Sequence, residues 1–142
     1  MINKLRYPEF FIRLFLGIIF LWAAYGKIVN PQAFVIAVEN YQIFSLRISR
    51  WIAIGLPFME LLIGLFLIAG FWLKESFILT IILYLGFDAM ILQAYFRGLD
   101  LNCGCFSTSG GTPIDIFKII ENAFLTGAAF LGFFLYKKRS SE

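Results

Sequence analysis

Cys103 and Cys105 are the only cysteines of this chain, and a single glycine separates them. A disulfide between them would close a very small ring, which requires a bent backbone, and Gly104 permits the bend because glycine tolerates positive φ. Strain makes a disulfide more reducible, which suits an exchange disulfide better than a structural one. We therefore predict that Cys103 and Cys105 are the catalytic residues of a thiol–disulfide exchange.

The chain contains no histidine, and this restricts the other chemistry that two thiols can perform. A zinc site needs four ligands, which this pair cannot supply within one chain, so we predict no metal site of that kind. Two thiolates would suit Cu(I), because soft sulfur selects that ion. A structural disulfide usually joins distant segments, since longer closed loops gain more stability. Cu(I) handling and a structural or inert pair are the alternatives to redox exchange.

The composition around this motif is that of an integral membrane protein. Hydrophobic residues make up 61% of the 142 residues and charged residues 15%, whereas soluble proteins are about half apolar and about a quarter charged. The net charge of +3 is modest, and the basic residues lie at segment ends, so we expect a lipid bilayer and no nucleic acid as a partner. The length leaves room for one domain, 1–142.

Four apolar stretches, at about 10–25, 52–73, 77–96 and 116–136, are long enough to cross a bilayer as helices. The predicted fold is an all-α bundle of four transmembrane helices. Between spans one and two, an apolar run after Pro31 predicts a short helix at the membrane interface or folded back onto the bundle. Lys74, Glu75 and Ser76 alone separate spans two and three and predict a tight hairpin. We expect the basic tail 137–142 to be frayed.

Basic residues set the predicted orientation. Four spans place both termini on one side, and that side carries more lysine and arginine: Lys4, Arg6, Lys74, Lys137, Lys138 and Arg139 against Lys27, Arg47, Arg50 and Arg97. The positive-inside rule then favours cytoplasmic termini in a bacterial inner membrane. The Cys103–Cys105 loop would lie outside the cytoplasm, where disulfides persist.

Three acidic residues within the spans predict a polar pocket beneath the cysteine loop. Counted from the hairpin, Glu60 and Asp88 both lie roughly 20 Å from the cytoplasmic turn, and Glu121 enters from the outer face to roughly 9 Å. Lys27, at the end of the first span, could reach down to them. Ionised groups in a span usually face the bundle interior and find partners. The alternative is that pairs such as Lys27–Glu60, or Glu121 with its neighbour Lys118, only lock helices together.

Aromatic residues near the span ends give the one cofactor candidate. We interpret them as interfacial anchors, with a quinone slot beside the outer pocket as the alternative. They are Trp22, Tyr25, Trp51 and Tyr95.

Three motifs resemble those of the DoxX-like membrane proteins: Gly26-Lys27-Ile28 with Pro31 and Phe34, Pro57-x-x-Glu60-x-x-x-Gly64, and Cys103-Gly104-Cys105-Phe106. The last motif is similar to that of the MauE branch, although Glu121 stands before Asn122 where that branch usually has arginine, and Ser107 replaces a glycine. The resemblance implies a four-helix membrane bundle. It also implies an association with the maturation of methylamine dehydrogenase, in which a thioredoxin-like partner helps to form disulfides, and the DoxX name comes from a subunit of a quinol oxidase.

Together these observations predict a membrane-embedded thiol–disulfide redox component that exchanges electrons or disulfides with a thioredoxin-like partner outside the cytoplasm. One alternative is a non-catalytic accessory subunit of a larger respiratory or photosynthetic complex. A small transporter is less favoured, because four short spans without broken-helix repeats are poorly suited to alternating access.

Overall fold

A computed structural model of the protein describes residues 2–98 and 116–141. Over these residues the chain forms five α-helices and no strand: α1 (Ile2–Val29), α2 (Pro31–Asn40), α3 (Leu46–Ala69), α4 (Leu73–Phe96) and α5 (Ile116–Ser141). The four long helices are each long and apolar enough to cross a membrane. The predicted all-α bundle of four spans with a short helix between the first two is therefore confirmed, and the protein is an integral membrane protein.

The helices extend beyond the predicted spans, because hydropathy marks the apolar part of a helix and not its polar ends. The largest difference is at the hairpin between α3 and α4. Its turn lies at Gly70–Trp72, and Lys74, Glu75 and Ser76 form the first turn of α4. Gly70 ends α3 with φ +85°, a conformation that favours glycine, and its N–H donates to the Phe66 carbonyl at 2.8 Å. Counted from this turn, Glu60 is nearer to the turn than predicted and Asp88 farther from it.

Two glycines bring α1 and α3 into backbone contact. A Cβ atom on Gly17 would lie 3.1 Å from the Gly64 carbonyl oxygen, and one on Gly64 would lie 3.0 Å from the Gly17 carbonyl oxygen. Small residues allow membrane helices to approach this closely. The buried core lies on either side of the crossing and includes Leu16, Phe20, Ile63, Leu67, Phe77, Tyr84, Leu125 and Ala129. This contact fixes which part of α3 the end of α1 meets.

The short helix α2 folds back onto the bundle. It begins with Pro31, and the side chain of the N-cap residue Asn30 accepts a hydrogen bond from the Ala33 N–H at 3.4 Å. Its buried residues Phe34 and Val38 pack against Ala53 of α3. As a result, α2 covers the end of the bundle at which α1 stops and α3 starts.

Candidate functional site

The central feature of the site is an ion pair between Lys27 and Glu60. The Lys27 Nζ atom lies 2.7 Å from Oε1 and 2.9 Å from Oε2 of Glu60, and both residues are 1% exposed. Lys27 comes from the last turn of α1, where a cation also interacts favourably with the helix dipole. Glu60 lies near the middle of α3. One long, flexible side chain therefore carries a positive charge from a helix end to a carboxylate inside the bundle.

Aromatic rings from two further helices enclose this ion pair. The Lys27 Nζ atom is 5.0 Å from the ring centroid of Phe34 in α2 and 5.4 Å from that of Phe87 in α4. Both distances fall within the range of cation–π contacts, which strengthen when water is excluded. The ammonium group is thus held by residues of α1, α2, α3 and α4, and α2 closes the site.

Asp88 belongs to a second polar group, between α4 and α5. The Asn122 amide donates a hydrogen bond to Asp88 Oδ1 at 2.6 Å, and the Thr126 hydroxyl donates one to Oδ2 at 2.7 Å. Asn122 and Thr126 are four residues apart, so they lie on the same face of α5. Sequence reasoning missed both donors, although this spacing opposite an acidic residue was a visible signal. Both oxygens of the half-buried Asp88 carboxylate are therefore satisfied by α5, and neither bonds to Lys27.

The structure places Glu121 in neither of these two polar groups. Its side chain is 49% exposed and forms an ion pair with Lys118 at 3.2 Å, one turn earlier on α5. Adjacent residues on a helix point in directions about 100° apart, and here Asn122, at 2% exposure, faces the interior while Glu121 faces outward. Counting residues along a span could not supply the direction in which Glu121 points.

Cys103 and Cys105 lie outside the described residues, in the segment 99–115 that connects α4 to α5. The described end of α4 lies beside the turn that follows α2: Arg97 donates to the Tyr41 carbonyl oxygen and to Gln42 Oε1, both at 3.5 Å. Burial raises the pKa of Tyr41 to about 12, so its phenol is neutral at physiological pH. The contacts of Arg97 therefore place the described end of α4 at the end of the bundle that α2 covers.

The aromatic residues proposed as interfacial anchors all lie on the surface of the bundle. Exposure is 69% for Trp22, 66% for Tyr25, 72% for Trp51 and 41% for Tyr95. Trp22 also borders an open groove of about 440 Å³, lined by residues of α1 and α5 that include Phe15, Phe124 and Glu121. Nothing in this arrangement identifies a quinone, and the quinone slot stays a prediction.

A second ion pair, which sequence reasoning missed, lies at the opposite end of α1. The Arg139 Nη1 atom is 2.8 Å from Glu9 Oε2, and Glu9 is fully buried. Helix α5 extends to Ser141, so the prediction of a frayed tail is wrong for the residues that carry this contact. The signal was an acidic residue near the start of the first span opposite a basic run at the end of the last. This pair joins α1 to α5.

Comparisons with known proteins place the chain among its relatives. The family model described as methylamine utilisation protein MauE matches residues 5–135. A curated protein of Paracoccus denitrificans, named methylamine utilization protein MauE, is 27% identical over 119 residues, which cover 83% of this chain and 64% of that protein. The chain thus spans just under two thirds of the length of this relative. No solved structure matches the chain significantly. The predicted resemblance to MauE is confirmed, and the wider DoxX-like relationship stays a prediction.

Proposed function

The chain belongs to the methylamine utilisation protein MauE family, and on that premise we propose that it is a membrane-embedded thiol–disulfide redox component. Its partner is a thioredoxin-like protein outside the cytoplasm, and its reactive residues are Cys103 and Cys105. The relative's name refers to methylamine utilisation, and we extend that setting to this chain as part of the proposal. The DoxX-like relationship belongs to the proposal as well.

The proposed reaction transfers two electrons from the partner to the cysteine pair. A thiolate of the reduced partner attacks the Cys103–Cys105 disulfide and forms a mixed disulfide. The second partner thiolate then attacks that bond, so the partner leaves as a disulfide and the pair becomes a dithiol. A quinone-class acceptor in the membrane reoxidises the pair by taking up two electrons and two protons. In this scheme the partner loses the two electrons that the cysteine pair gains, and no metal takes part.

The observation that carries this proposal is the position of the described end of α4, from which the segment 99–115 continues along the chain. Arg97 at that end lies beside the turn after α2, and α2 also covers the Lys27–Glu60 pair. Lys27 is fully engaged with Glu60, so it is poorly placed to stabilise a thiolate. Arg97 is exposed and precedes Cys103 by six residues, and we propose that it stabilises the cysteine thiolate that is released when the partner attacks the disulfide. In this proposal the two buried polar groups anchor the helices beneath the reactive segment.

A pair of single-cysteine variants tests the proposed exchange. We expect Cys103→Ser and Cys105→Ser, each in the full chain in nanodiscs, to abolish oxidation of a reduced thioredoxin in the presence of a soluble quinone. Ser107→Ala, in the same segment, should retain the wild-type rate. A thioredoxin that keeps only its attacking cysteine, activated as its mixed disulfide with thionitrobenzoate, should form a stable mixed disulfide with the single variant that keeps the partner-bonding thiol, because that thiolate attacks the activated sulfur and thionitrobenzoate leaves. Full-rate oxidation by the double variant would exclude the proposed exchange.

The proposed location is a bacterial inner membrane with cytoplasmic termini and the cysteine segment on the outer side. A membrane-impermeant maleimide added to intact, reduced cells should then label Cys103 and Cys105. It should not label a single cysteine introduced at Ser140 in a variant without the native pair. The reverse pattern would show the opposite topology.

An accessory subunit of a larger membrane redox complex is the second candidate function, and the surface position of Glu121 favours it. A side chain that is 49% exposed near one end of a membrane-spanning helix places charge toward lipid or toward another protein. Charged residues in spans usually avoid lipid, so a protein partner would explain the position. Stable co-purification with a larger complex that survives Cys103→Ser but not Glu121→Leu would support this function over thiol exchange.

A further inference from the structure

A small cavity of about 10 Å³ lies between the two buried polar groups of the bundle. Apolar side chains of Phe20, Ala23 and Phe87 form part of its wall, and three polar residues complete it: Glu60 from α3, Tyr84 from α4 and Asn122 from α5. This volume corresponds to about one water molecule. The cavity therefore touches one member of the Lys27–Glu60 pair and one member of the Asp88–Asn122–Thr126 group.

The amide of Asn122 supplies an independent reason to place a ligand here. Because a carboxylate only accepts hydrogen bonds, the Asn122 Nδ2 atom must face Asp88, and it donates to Asp88 Oδ1 at 2.6 Å. The amide oxygen then points elsewhere. Among the described residues this Oδ1 atom has no hydrogen-bond partner, although the side chain is 98% buried. Buried acceptors in native proteins are nearly always satisfied by protein or by an ordered water molecule.

We propose that this cavity is a binding site for one water molecule, which donates one hydrogen bond to Asn122 Oδ1 and the other to the Glu60 carboxylate. Tyr84 also lines the cavity, so three polar residues surround the proposed water. Two to four polar partners are what a buried water requires. The surrounding rings of Phe20 and Phe87 keep the site small and exclude further solvent.

This water joins the two polar groups into one network across the four membrane-spanning helices. The chain of contacts runs from Lys27 through Glu60, the water and Asn122 to Asp88. The water satisfies the Asn122 amide oxygen in the orientation that Asp88 imposes on the amide, and so supports the donor that holds Asp88. Asn122 is in this sense a positioning residue. The inference does not depend on the chemistry of the cysteines, which lie in a different segment.

Radiolytic hydroxyl-radical footprinting of the full chain in lipid nanodiscs tests the proposed site, because radicals formed from a bound water modify the side chains next to it. Phe20 lines the cavity and is 2% exposed, whereas Phe77 does not line it and is 0% exposed. We expect Phe20 to be modified several-fold faster than Phe77. Equal rates for these two buried phenylalanines would show a dry cavity and overturn the proposal.

Two variants of neighbouring alanines separate the bound water from general solvent access. Ala23 lines the cavity and Ala24 does not, and both are buried, so Ala23→Val fills the site while Ala24→Val adds the same volume elsewhere in the bundle. We expect Ala23→Val to reduce the modification of Phe20 to the rate of Phe77, and Ala24→Val to leave it high. Unchanged modification of Phe20 in Ala23→Val would overturn the proposal.

A third variant keeps the test decisive if Ala23→Val does not fold. Asn122→Leu removes the unpaired oxygen at nearly constant side-chain size and leaves a leucine methyl group where the proposed water donates a hydrogen bond, which weakens its binding. We expect the modification of Phe20 to fall several-fold, and a rate equal to that of the wild type would overturn the proposal. Thiol exchange is not the readout in any of these measurements, so their failure leaves the proposed function untouched.

Discussion

The two ends of α1 each carry one ion pair, and the two pairs differ in how they are enclosed. Glu9 and Lys27 are eighteen residues apart, which corresponds to roughly 27 Å along the helix. At one end, Lys27 and Glu60 are both buried and two aromatic rings contact the ammonium group. At the other, Glu9 is buried but the side chain of its partner Arg139 is 27% exposed. The same helix is thus tied to α3 by a closed pair and to α5 by an open one.

This difference in enclosure indicates which ion pair positions the helices and which one only adds stability. Replacing a buried ion pair with well-packed apolar residues is often neutral or stabilising, whereas removing one partner is strongly destabilising. A closed pair is therefore costly to disturb without being an efficient source of stability. In the open pair, Arg139 keeps access to water or lipid head groups, and Arg13 is close enough to Glu9 to replace part of a lost positive charge. We infer that Lys27–Glu60 specifies how α1, α2, α3 and α4 meet, while Glu9–Arg139 secures a helix end.

Removing one charge of the closed pair should have the largest effect. Lys27→Met leaves Glu60 buried without its partner, and we expect the free energy of unfolding to fall by about 3–5 kcal/mol. The double variant Lys27→Met, Glu60→Leu should recover most of that loss, because neither charge is then buried. Reversible unfolding by SDS in mixed micelles measures both values. A single variant as stable as the wild type would contradict the assignment of this pair as the closed one.

Separating α1 from α3 should break the closed pair and spare the open one. The carbonyl of Gly17 and the side chain of Leu21 leave no room for a larger residue at Gly64, whereas a Cβ atom at Gly55 would meet nothing within 4 Å. We expect Gly64→Val to lower the free energy of unfolding by about 1–3 kcal/mol, as overpacking typically does. Gly55→Val, on the same helix, should change it little.

Distances between spin labels at exposed sites distinguish the two pairs in Gly64→Val. The α1–α3 distance should increase and the α1–α5 distance should stay constant. An equal increase in both distances would show that the two ends of α1 are not independently held.

The sequence predicted the fold well because its dominant signal is four long apolar stretches, which are visible along the chain without knowledge of any tertiary contact. The sequence also predicted the pairing of Lys27 with Glu60 as an alternative to a functional polar pocket, since a lysine near the end of a span needs a nearby acid. The hairpin was misplaced because charged residues suggested a turn, whereas Gly70, which tolerates positive φ, forms it. A hydropathy pattern does not register that property.

The sequence predicted only some of the residues that form the two polar groups inside the bundle. Depth along the bundle follows from counting residues, but direction around a helix depends on the packing of all its neighbours. For this reason Glu121 was grouped with Glu60 and Asp88, although Asn122 is the residue that faces inward. Thr126 lay outside the prediction because its spacing from Asn122 becomes informative only when α5 is known to face Asp88 on α4.

Substitution should affect the open pair less than the closed one, whereas salt should affect the open pair more. Arg139→Gln removes the partner of Glu9 at a site where Arg13 is close enough to contribute positive charge. We expect a loss of about 1–2 kcal/mol in the free energy of unfolding, between the values for surface and fully buried pairs.

Raising the salt concentration should weaken the Glu9–Arg139 pair and leave Lys27–Glu60 unchanged, because screening acts mainly on exposed charges. Unfolding of the wild type and of each single variant across a salt series measures this contrast, and equal salt dependence of the two pairs would contradict it.

The ion pair between Arg50 and Glu39 sets the lower limit of the comparison and should show the smallest effect. It also joins two helices, α2 and α3, but its atoms are 3.6 Å apart and the Arg50 side chain is 67% exposed. An exposed pair of this kind contributes about 0–1 kcal/mol, because solvent screens the charges and two flexible side chains must be ordered. We therefore expect Arg50→Met to leave the free energy of unfolding within about 1 kcal/mol of the wild type, measured in the same mixed micelles. Since Phe34 and Val38, and not this pair, hold α2 on α3, Phe34→Ala should destabilise the protein more than Arg50→Met. If Arg50→Met were as damaging as Lys27→Met, enclosure would not be the property that distinguishes the ion pairs of this bundle.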